Sequence, residues 1–471
     1  MSNSSLVKIN FLGAAGTVTG SKHLLQTPEM NILVDCGLFQ GLKPLRNLNW
    51  EHLSFPPEAI NYVILTHAHL DHCGYLPKLV KSGFKGSIIM TPPTADLAKL
   101  ILLDSAGLQE EEAEYARRKG YSKHENPQPL YTQEDVHHAL GLFQYQEDNE
   151  WVVLSDNIRF RFKRVGHILG ACFVEMDCYG RRIVFSGDIG RQASVLFPPP
   201  LRPEYADFLL MESTYGNRLH SKVPALDQLA EIINECYQRK GNLLIPSFAV
   251  GRAQELMVLI EQLKRTDKIP DIPVYLDTPM GEEATEILRK FPDWHKIPRT
   301  ECDSFFVNIR MVKKLDETFN IIEHNKQPKI VIAASGMLTG GRVLHYLKEY
   351  IGNEHNTILL VGYQAEGTRG RALHAGSHEL KMHGQYFNVV AQIRELDTLS
   401  AHADQGELLN WISGLKQKPE RIFIVHGESD AAYAFSNKIR DVFGFNSIIP
   451  SLKQEVILFD SNKPLPSPGL S

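Results

Sequence analysis

The sequence predicts an α/β protein in which a sandwich of short strands and helices is interrupted by a second unit built on a doubly wound parallel sheet. Three observations carry this expectation. Short β-branched runs broken by turn signals fill the first 210 residues, strand and helix alternate regularly after Gly216, and the first pattern returns near Arg421. At 471 residues the chain is too long for one ordinary core, so two domains are expected.

In chain order, the first set of strands is read at Lys8 to Leu12, His23 to Gln26, Asn31 to Asp35, Tyr62 to Thr66, Ser87 to Met90, Arg159 to Lys163, Cys172 to Asp177, Arg182 to Ser186 and Phe208 to Glu212. Several are apolar throughout, as in Tyr62-Val-Ile-Leu-Thr66, which fits strands buried on both faces. A long helical pattern runs from Thr94 to Arg118, and its acidic run Gln109 to Glu114 reads as a solvated face. The second set comprises a helix at Ala225 to Lys240, a strand at Asn242 to Ile245, a helix from Gly251, and strands at Pro273 to Leu276, Lys329 to Ala333 and Thr357 to Val361. Arg421-Ile-Phe-Ile-Val-His426 is then a buried strand ending in a histidine, and Pro464 to Ser471 reads as a frayed tail.

Composition narrows the function classes. Hydrophobic residues make up 43% and charged residues 22%, the balance of a soluble globular protein. The first five residues show no basic or apolar leader, and no uncharged apolar stretch reaches the length of a membrane span, so a cytoplasmic protein with no membrane partner is expected. Six cysteines lie scattered without a C-x-x-C pair, which indicates neither a disulfide framework nor a thiolate zinc site. Cys73 follows a histidine run directly and reads as small apolar packing behind it. The net charge of −5 argues against a whole-surface polyanion binder, so any nucleic-acid contact must be local.

The chemistry sits at strand ends. His67-Ala-His-Leu-Asp-His72 begins where the strand Tyr62 to Thr66 stops, at the carboxyl edge of a sheet. Three imidazoles and a carboxylate within six residues would be costly to crowd together without a cation, which marks a metal site. Gly166-His167, Phe185-Ser-Gly-Asp188 and Val425-His426-Gly427 each set one more ligating side chain among small residues.

The order H-x-H-x-D-H, then a distant His, then Asp, resembles the metallo-β-lactamase superfamily. Met211-Glu-Ser-Thr-Tyr215, Ser400-Ala-His-Ala-Asp404 and Val425-His-Gly-Glu428 resemble motifs A, B and C of its β-CASP nucleases. Gly13-Ala-Ala-Gly-Thr-Val-Thr-Gly-Ser21 and Asp35-Cys-Gly-Leu-Phe-Gln-Gly41 are similar to that family's opening; the glycine-rich stretch lacks the lysine of a nucleotide P-loop. The likeness spans nearly the whole chain. It is to bacterial and archaeal RNases and to the endonuclease subunit of the eukaryotic cleavage and polyadenylation factor.

The resemblance implies a metallo-β-lactamase αββα sandwich at 1–216 plus 397–471, with a β-CASP domain inserted at 217–396. It implies one zinc held by His67, His69 and His167, a second by Asp71, His72 and His426, and Asp188 bridging the pair. Two ions about 3.5 to 4 Å apart would clamp a phosphoryl oxygen and share an attacking hydroxide that Asp71 orients. Neutral imidazole suits zinc, whereas manganese favours more carboxylates. By the same resemblance Asp35 accepts a hydrogen bond from a ligand histidine.

A ribose leaving oxygen wants a proton, so His402 is the expected general acid, its pKa raised by Glu212. The bland reading is that Glu212 caps the Ser213-Thr-Tyr turn and His402 starts a helix with Asp404. Ser335 and Gly336, after a buried strand, are expected to present backbone N–H groups to a phosphate, and Thr339-Gly-Gly341 reads as a tight loop. Ser400, His402 and Arg369 complete the expected substrate-binding set, with Arg252 and Arg371 as further guanidiniums beside glycine-rich turns. His137 and His138 are given no role.

The expected function is therefore hydrolysis of phosphodiester bonds in single-stranded RNA, by endonuclease or 5′-exonuclease action. A small-molecule ester or thioester hydrolase of the same superfamily and a non-catalytic RNA-processing scaffold are the alternatives. The large insertion with His402 and Glu212 speaks against the first, and the complete ligand set against the second. A homodimer is left open.

Overall fold

The computed structural model describes residues 5–119, 127–302 and 306–463. The chain falls into two compact units, one of residues 1–192, 199–219 and 402–471, the other of 193–198 and 220–401. The stretch Ala193–Pro198, placed with the first domain by the sequence reading, clusters with the second unit, where Lys296 Nζ donates to the Ser194 carbonyl (2.7 Å). Pro464 to Ser471, read above as a frayed tail, lies outside the described residues.

The first unit holds two seven-stranded sheets. One runs in the order Glu455–Asp460, Leu6–Phe11, His23–Gln26, Asn31–Val34, Tyr62–Ile64, Ser87–Met90 and Phe143–Tyr145. The other runs Ser447–Ile448, Arg421–Val425, Phe208–Glu212, Arg181–Phe185, Cys172–Cys178, Ile158–Arg164 and Val152–Val153. Leu6–Phe11 alternates buried and part-exposed residues, as a strand with one covered face should. Its Val7, Ile9 and Phe11 point into the sandwich, where the Phe11 ring meets Phe423 of the opposite sheet at 5.2 Å and Phe208 stacks on Phe459 at 5.7 Å. Phe11, Phe208 and Phe423 are fully buried, and each contributes roughly 1.5–3 kcal/mol of hydrophobic stabilisation. Helix Ser429–Phe443 lies against Arg421–Val425, and Trp411 of helix Gln405–Ile412 packs on Phe173, while helix Pro92–Lys119 covers the first sheet. The result is an αββα sandwich.

Within each sheet the strands change from antiparallel to parallel, and the parallel members carry the chemistry. Tyr62–Ile64 pairs in parallel with both its neighbours; Arg181–Phe185, Phe208–Glu212 and Arg421–Val425 form a parallel set. Their carboxyl ends deliver His67, Asp188, Glu212 and His426, because a loop leaving a parallel strand is free to present side chains that the ladder itself would bury.

The second unit is a six-stranded, wholly parallel sheet in the order Ile309–Met311, Val274–Asp277, Ile330–Ala333, Leu243–Pro246, Thr357–Leu360 and Gln392–Glu395. The four inner strands are buried at every residue, which requires helices on both faces. Both edge strands went unread in the sequence: Ile309–Met311 is three residues long and Gln392–Glu395 is largely polar. So did the hairpin Glu379–Met382 with Gln385–Asn388, whose His383-Gly384 turn has positive φ at both residues (48° and 83°). Among the described residues no helix is long and apolar enough to cross a membrane.

Candidate metal centre

Beyond Ile64 the chain leaves its sheet and turns into the one-turn helix Leu70–Cys73, for which His69 is the N-cap. The backbone of this turn is gripped from behind by the two glycine-containing segments. Ser21 N–H donates to Asp71 O (2.8 Å), Cys36 N–H to His72 O (2.7 Å) and Leu38 N–H to Leu70 O (3.0 Å). Gly37 fits there because a Cβ would stand 1.6 Å from the Asp71 carbonyl oxygen. Cys73 is buried and its thiol donates to the Ala68 carbonyl at 3.2 Å, so it packs behind the run.

In front of the turn the side chains converge into two groups. In the first, His69 Nδ1 is 3.2 Å from His67 Nε2 and 3.1 Å from His167 Nε2, and Asp188 Oδ2 is 3.4 and 3.5 Å from those same Nε2 atoms. In the second, His72 Nε2 is 3.1 Å from His426 Nε2, which is 3.5 Å from Asp71 Oδ2. Asp188 faces both, for its Oδ1 is 3.2 Å from His72 Nε2.

Outer partners decide which nitrogen of each ring carries the proton. Thr66 Oγ1 donates to Asp35 Oδ2 (2.9 Å) and so accepts from His67 Nδ1–H (3.1 Å). His72 Nδ1–H donates to Asp35 Oδ2 at 2.8 Å. Thr214 Oγ1 donates to the His426 carbonyl (3.2 Å) and accepts from His426 Nδ1–H (3.2 Å). In the neutral, ligating form of the rings each of the three Nε2 atoms is thereby left as a lone pair aimed inward. In that form His72 Nε2 and His426 Nε2 face one another with no proton between them, an arrangement that repels unless a cation separates them.

Tetrahedral zinc with ligand bonds near 2.0–2.1 Å has donor atoms about 3.3–3.4 Å apart, and the separations above cluster around that figure. Asp188 Oδ1 is buried and has no hydrogen-bond partner, a costly state for a carboxylate oxygen that a metal would relieve. The residues therefore fit metal in both groups. Burial pushes His69 down to about 3 and His167 well below the ordinary imidazole value, so both stand neutral, the ligating form. At His72 burial works the same way, but Asp188 and Asp35 outweigh it and raise the pKa. Burial would raise Asp188, yet the facing histidines hold it well below the usual carboxylate range.

Beside the first group stands His402. Its Nδ1 is 3.3 Å from both carboxylate oxygens of buried Glu212, and its Nε2 is 3.9 Å from Asp188 Oδ2. Glu212 also accepts from Ile189 N–H (2.5 Å) and Thr214 N–H (3.3 Å), so it caps the turn after its strand as well as holding the imidazole. Asp404, not His402, caps helix Gln405–Ile412. Burial lowers the His402 pKa, but Glu212 and then Asp188 overcome it and leave it raised.

The remaining sequence candidates belong to the second unit. Ser335 Oγ accepts from Thr339 N–H (3.0 Å), closing the loop that Gly341 completes at φ 77°. Arg369 shares that loop, donating through Nη1 to the carbonyls of Leu338 (3.0 Å) and Thr339 (3.2 Å), and Gly336 O accepts from Gln364 Nε2 (3.2 Å). Ser400 is buried. Arg252 is not the surface guanidinium expected, being buried and ion-paired with Glu255 on its own helix. His137 and His138 are exposed on helix Gln133–Leu140.

Thr66 and Thr214 were not singled out in the sequence, although each lies beside a residue that was, Thr66 next to His67 and Thr214 two positions from Glu212. Thr214→Val is expected to weaken metal binding about 10- to 100-fold by releasing the His426 tautomer, as measured by metal titration. Unchanged affinity would remove the hydroxyl from the account.

Comparisons with known proteins agree along the chain. Residues 18–221 match the model of the metallo-beta-lactamase superfamily, 253–373 that of the Beta-Casp domain, and 386–450 that of the Zn-dependent metallo-hydrolase RNA specificity domain. The chain is 34% identical to Ribonuclease TTHA0252 of Thermus thermophilus over 90% of its own length and 93% of that protein's. It is 31% identical to an RNase J-like protein of Methanocaldococcus jannaschii, over 94% and 98% of the two chains. With transcription termination factor FttA of the same organism it shares 32% identity, over 94% of this chain and 70% of that one. A crystal structure of a protein of unknown function from Enterococcus faecalis V583 superposes with a TM-score of 0.51 at 11% identity, covering 96% of this chain and all of that one, a likeness of fold alone.

Proposed function

The chain belongs to the β-CASP family of the metallo-β-lactamase superfamily and is a metal-dependent hydrolase, and from that premise we propose that it is a ribonuclease cutting single-stranded RNA with two zinc ions. The observation that carries the reading is Asp188, whose two oxygens face two separate groups of ligating side chains while His402 and Glu212 stand alongside. Relatives named as ribonucleases, and a family model named for RNA specificity, support RNA as the substrate.

His67, His69, His167 and Asp188 would hold one ion; Asp71, His72, His426 and Asp188 the other. When bound, such a pair supplies Lewis acidity at the phosphoryl oxygen and makes water a competent nucleophile near neutral pH. Asp71, with its side chain one-fifth exposed, orients the attacking water by accepting a hydrogen bond from it. His402 Nε2–H gives its proton to the departing ribose oxygen, while Glu212 on Nδ1 keeps the ring charged until it does. Asp35 fixes His72 from behind. Ser335, Gly336, Arg369 and Ser400 are the proposed contacts to the RNA backbone. All six cysteines are buried and unbridged, which accords with a reducing compartment, and the cytoplasm is the proposed location.

The test is a digest of unstructured RNA in three forms, 5′-monophosphorylated, 5′-triphosphorylated and circular, with the end groups of the products resolved. Cleavage is expected, and His69→Ala should lose both bound metal and cleavage. A cut circle shows endonuclease action; mononucleotides released from the monophosphorylated form alone show a 5′-exonuclease. If all three RNAs stay intact while a thioester or lactone is hydrolysed, the ribonuclease reading is wrong.

A further inference from the structure

We infer that Glu407 is a positioning residue, whose carboxylate ties the segment after Asp188 to the segment carrying His402 and so sets where the His402 imidazole stands. The inference rests on the reading of His402 as proton donor.

Beyond Asp188 the chain runs antiparallel to the start of the motif that contains His402. Gly190 and His402 are bridge partners, and Ala403 N–H donates to Ile189 O at 2.8 Å. Past this short ladder the next tie is a side chain, for Gln192 N–H donates to Glu407 Oε1 at 2.9 Å. The other oxygen, Oε2, accepts from Asp404 N–H (3.0 Å) and lies 3.5 Å from Arg191 Nε. Asp404 Oδ1 in turn accepts from Glu407 N–H at 2.9 Å.

A helix capping box uses one oxygen of the glutamate on the N-cap N–H, and here that is Oε2. Oε1 is therefore spent on a residue outside the helix, 215 positions away. What it holds is the segment with the most to misplace. Asp188 precedes it directly, and Ile189 N–H donates to the Glu212 oxygen that faces His402 Nδ1 at 3.3 Å. A slip of that segment moves the imidazole and its carboxylate partner together. Misplacement of a reacting group by about 1 Å can cost up to about a hundredfold in rate.

Glu407→Gln separates the two roles. The amide oxygen can still accept from Asp404 N–H and keep the cap, whereas the NH₂ group faces Gln192 N–H, donor against donor. The readout is the ratio of the rate on RNA to the rate on bis(p-nitrophenyl) phosphate, whose nitrophenolate departs without a proton. In Glu407→Gln this ratio should fall about tenfold, and amide exchange at Ala403 should quicken while helix 405–412 keeps its wild-type protection. Added to His402→Ala, the substitution should lower the ratio no further, since both act through one group.

A wild-type ratio in Glu407→Gln, with or without faster exchange at Ala403, would overturn the positioning role, as would an additive loss in the double variant. Should the wild-type protein cleave the nitrophenyl diester but not RNA, the ribonuclease reading falls. Exchange at Ala403 then decides the Glu407 tie alone, unchanged exchange removing it.

Discussion

Asp188→Asn is expected to strip the centre of metal and to lower RNA cleavage by at least about a thousandfold. The Asp188 carboxylate presents one oxygen to each ligand group, and an amide can offer only one neutral oxygen, so with metal bound one group would lose its shared ligand and the other its charge. Stabilisation of developing charge by a metal pair is worth several kcal/mol, and each 1.36 kcal/mol is tenfold in rate, which sets the expected size. Asparagine is nearly isosteric and the position is closely packed, so the fold should survive. Metal content and single-turnover cleavage on one sample check it. Two ions retained with cleavage within tenfold of wild type would show that Asp188 does not bridge.

His402→Ala should slow RNA cleavage by about 10²- to 10⁴-fold while both metals stay bound. The loss should depend on the leaving group: large for RNA, whose ribose oxygen must be protonated, and far smaller for bis(p-nitrophenyl) phosphate. The sign of the pH dependence follows from the raised His402 pKa. An acid works only while protonated, so wild-type cleavage of RNA should hold through the ordinary imidazole range and decline at higher pH as His402 loses its proton. The variant should lack that decline. Equal losses on both substrates would reassign His402 to a structural role, as would loss of metal.

Much of this was legible in the sequence because ligating side chains follow strands that announce themselves. Tyr62-Val-Ile-Leu and Arg421-Ile-Phe-Ile-Val are largely apolar runs too short for helices; the first is followed by Thr66 and His67, the second directly by His426. What stayed hidden depends on pairing across long sequence separations. Glu455–Asp460 is a strand because Leu6–Phe11, more than 440 residues earlier, lies beside it, and only one of its own six residues is buried. The edge strand Gln392–Glu395 has the same problem, since one side of it has no neighbour to demand apolar residues.

The site divides in the same way. Histidine and aspartate at strand ends are chemically conspicuous, whereas Thr66, Thr214 and Glu407 matter only through what they touch. A threonine hydroxyl bonded to an imidazole looks in sequence like any other threonine, and Glu407 looks like an ordinary capping glutamate. The glycine-rich opening shows the converse. Its composition drew a comparison with phosphate loops, yet its backbone grips the turn that carries Asp71 and His72.

The most direct test of the central claim is a titration of zinc into metal-stripped protein, following cleavage of a single-stranded RNA against equivalents added. The rate should rise from nothing to a plateau reached at two ions per chain. Cleavage by the stripped protein, or a plateau at one equivalent, would contradict a catalytic pair bridged by Asp188.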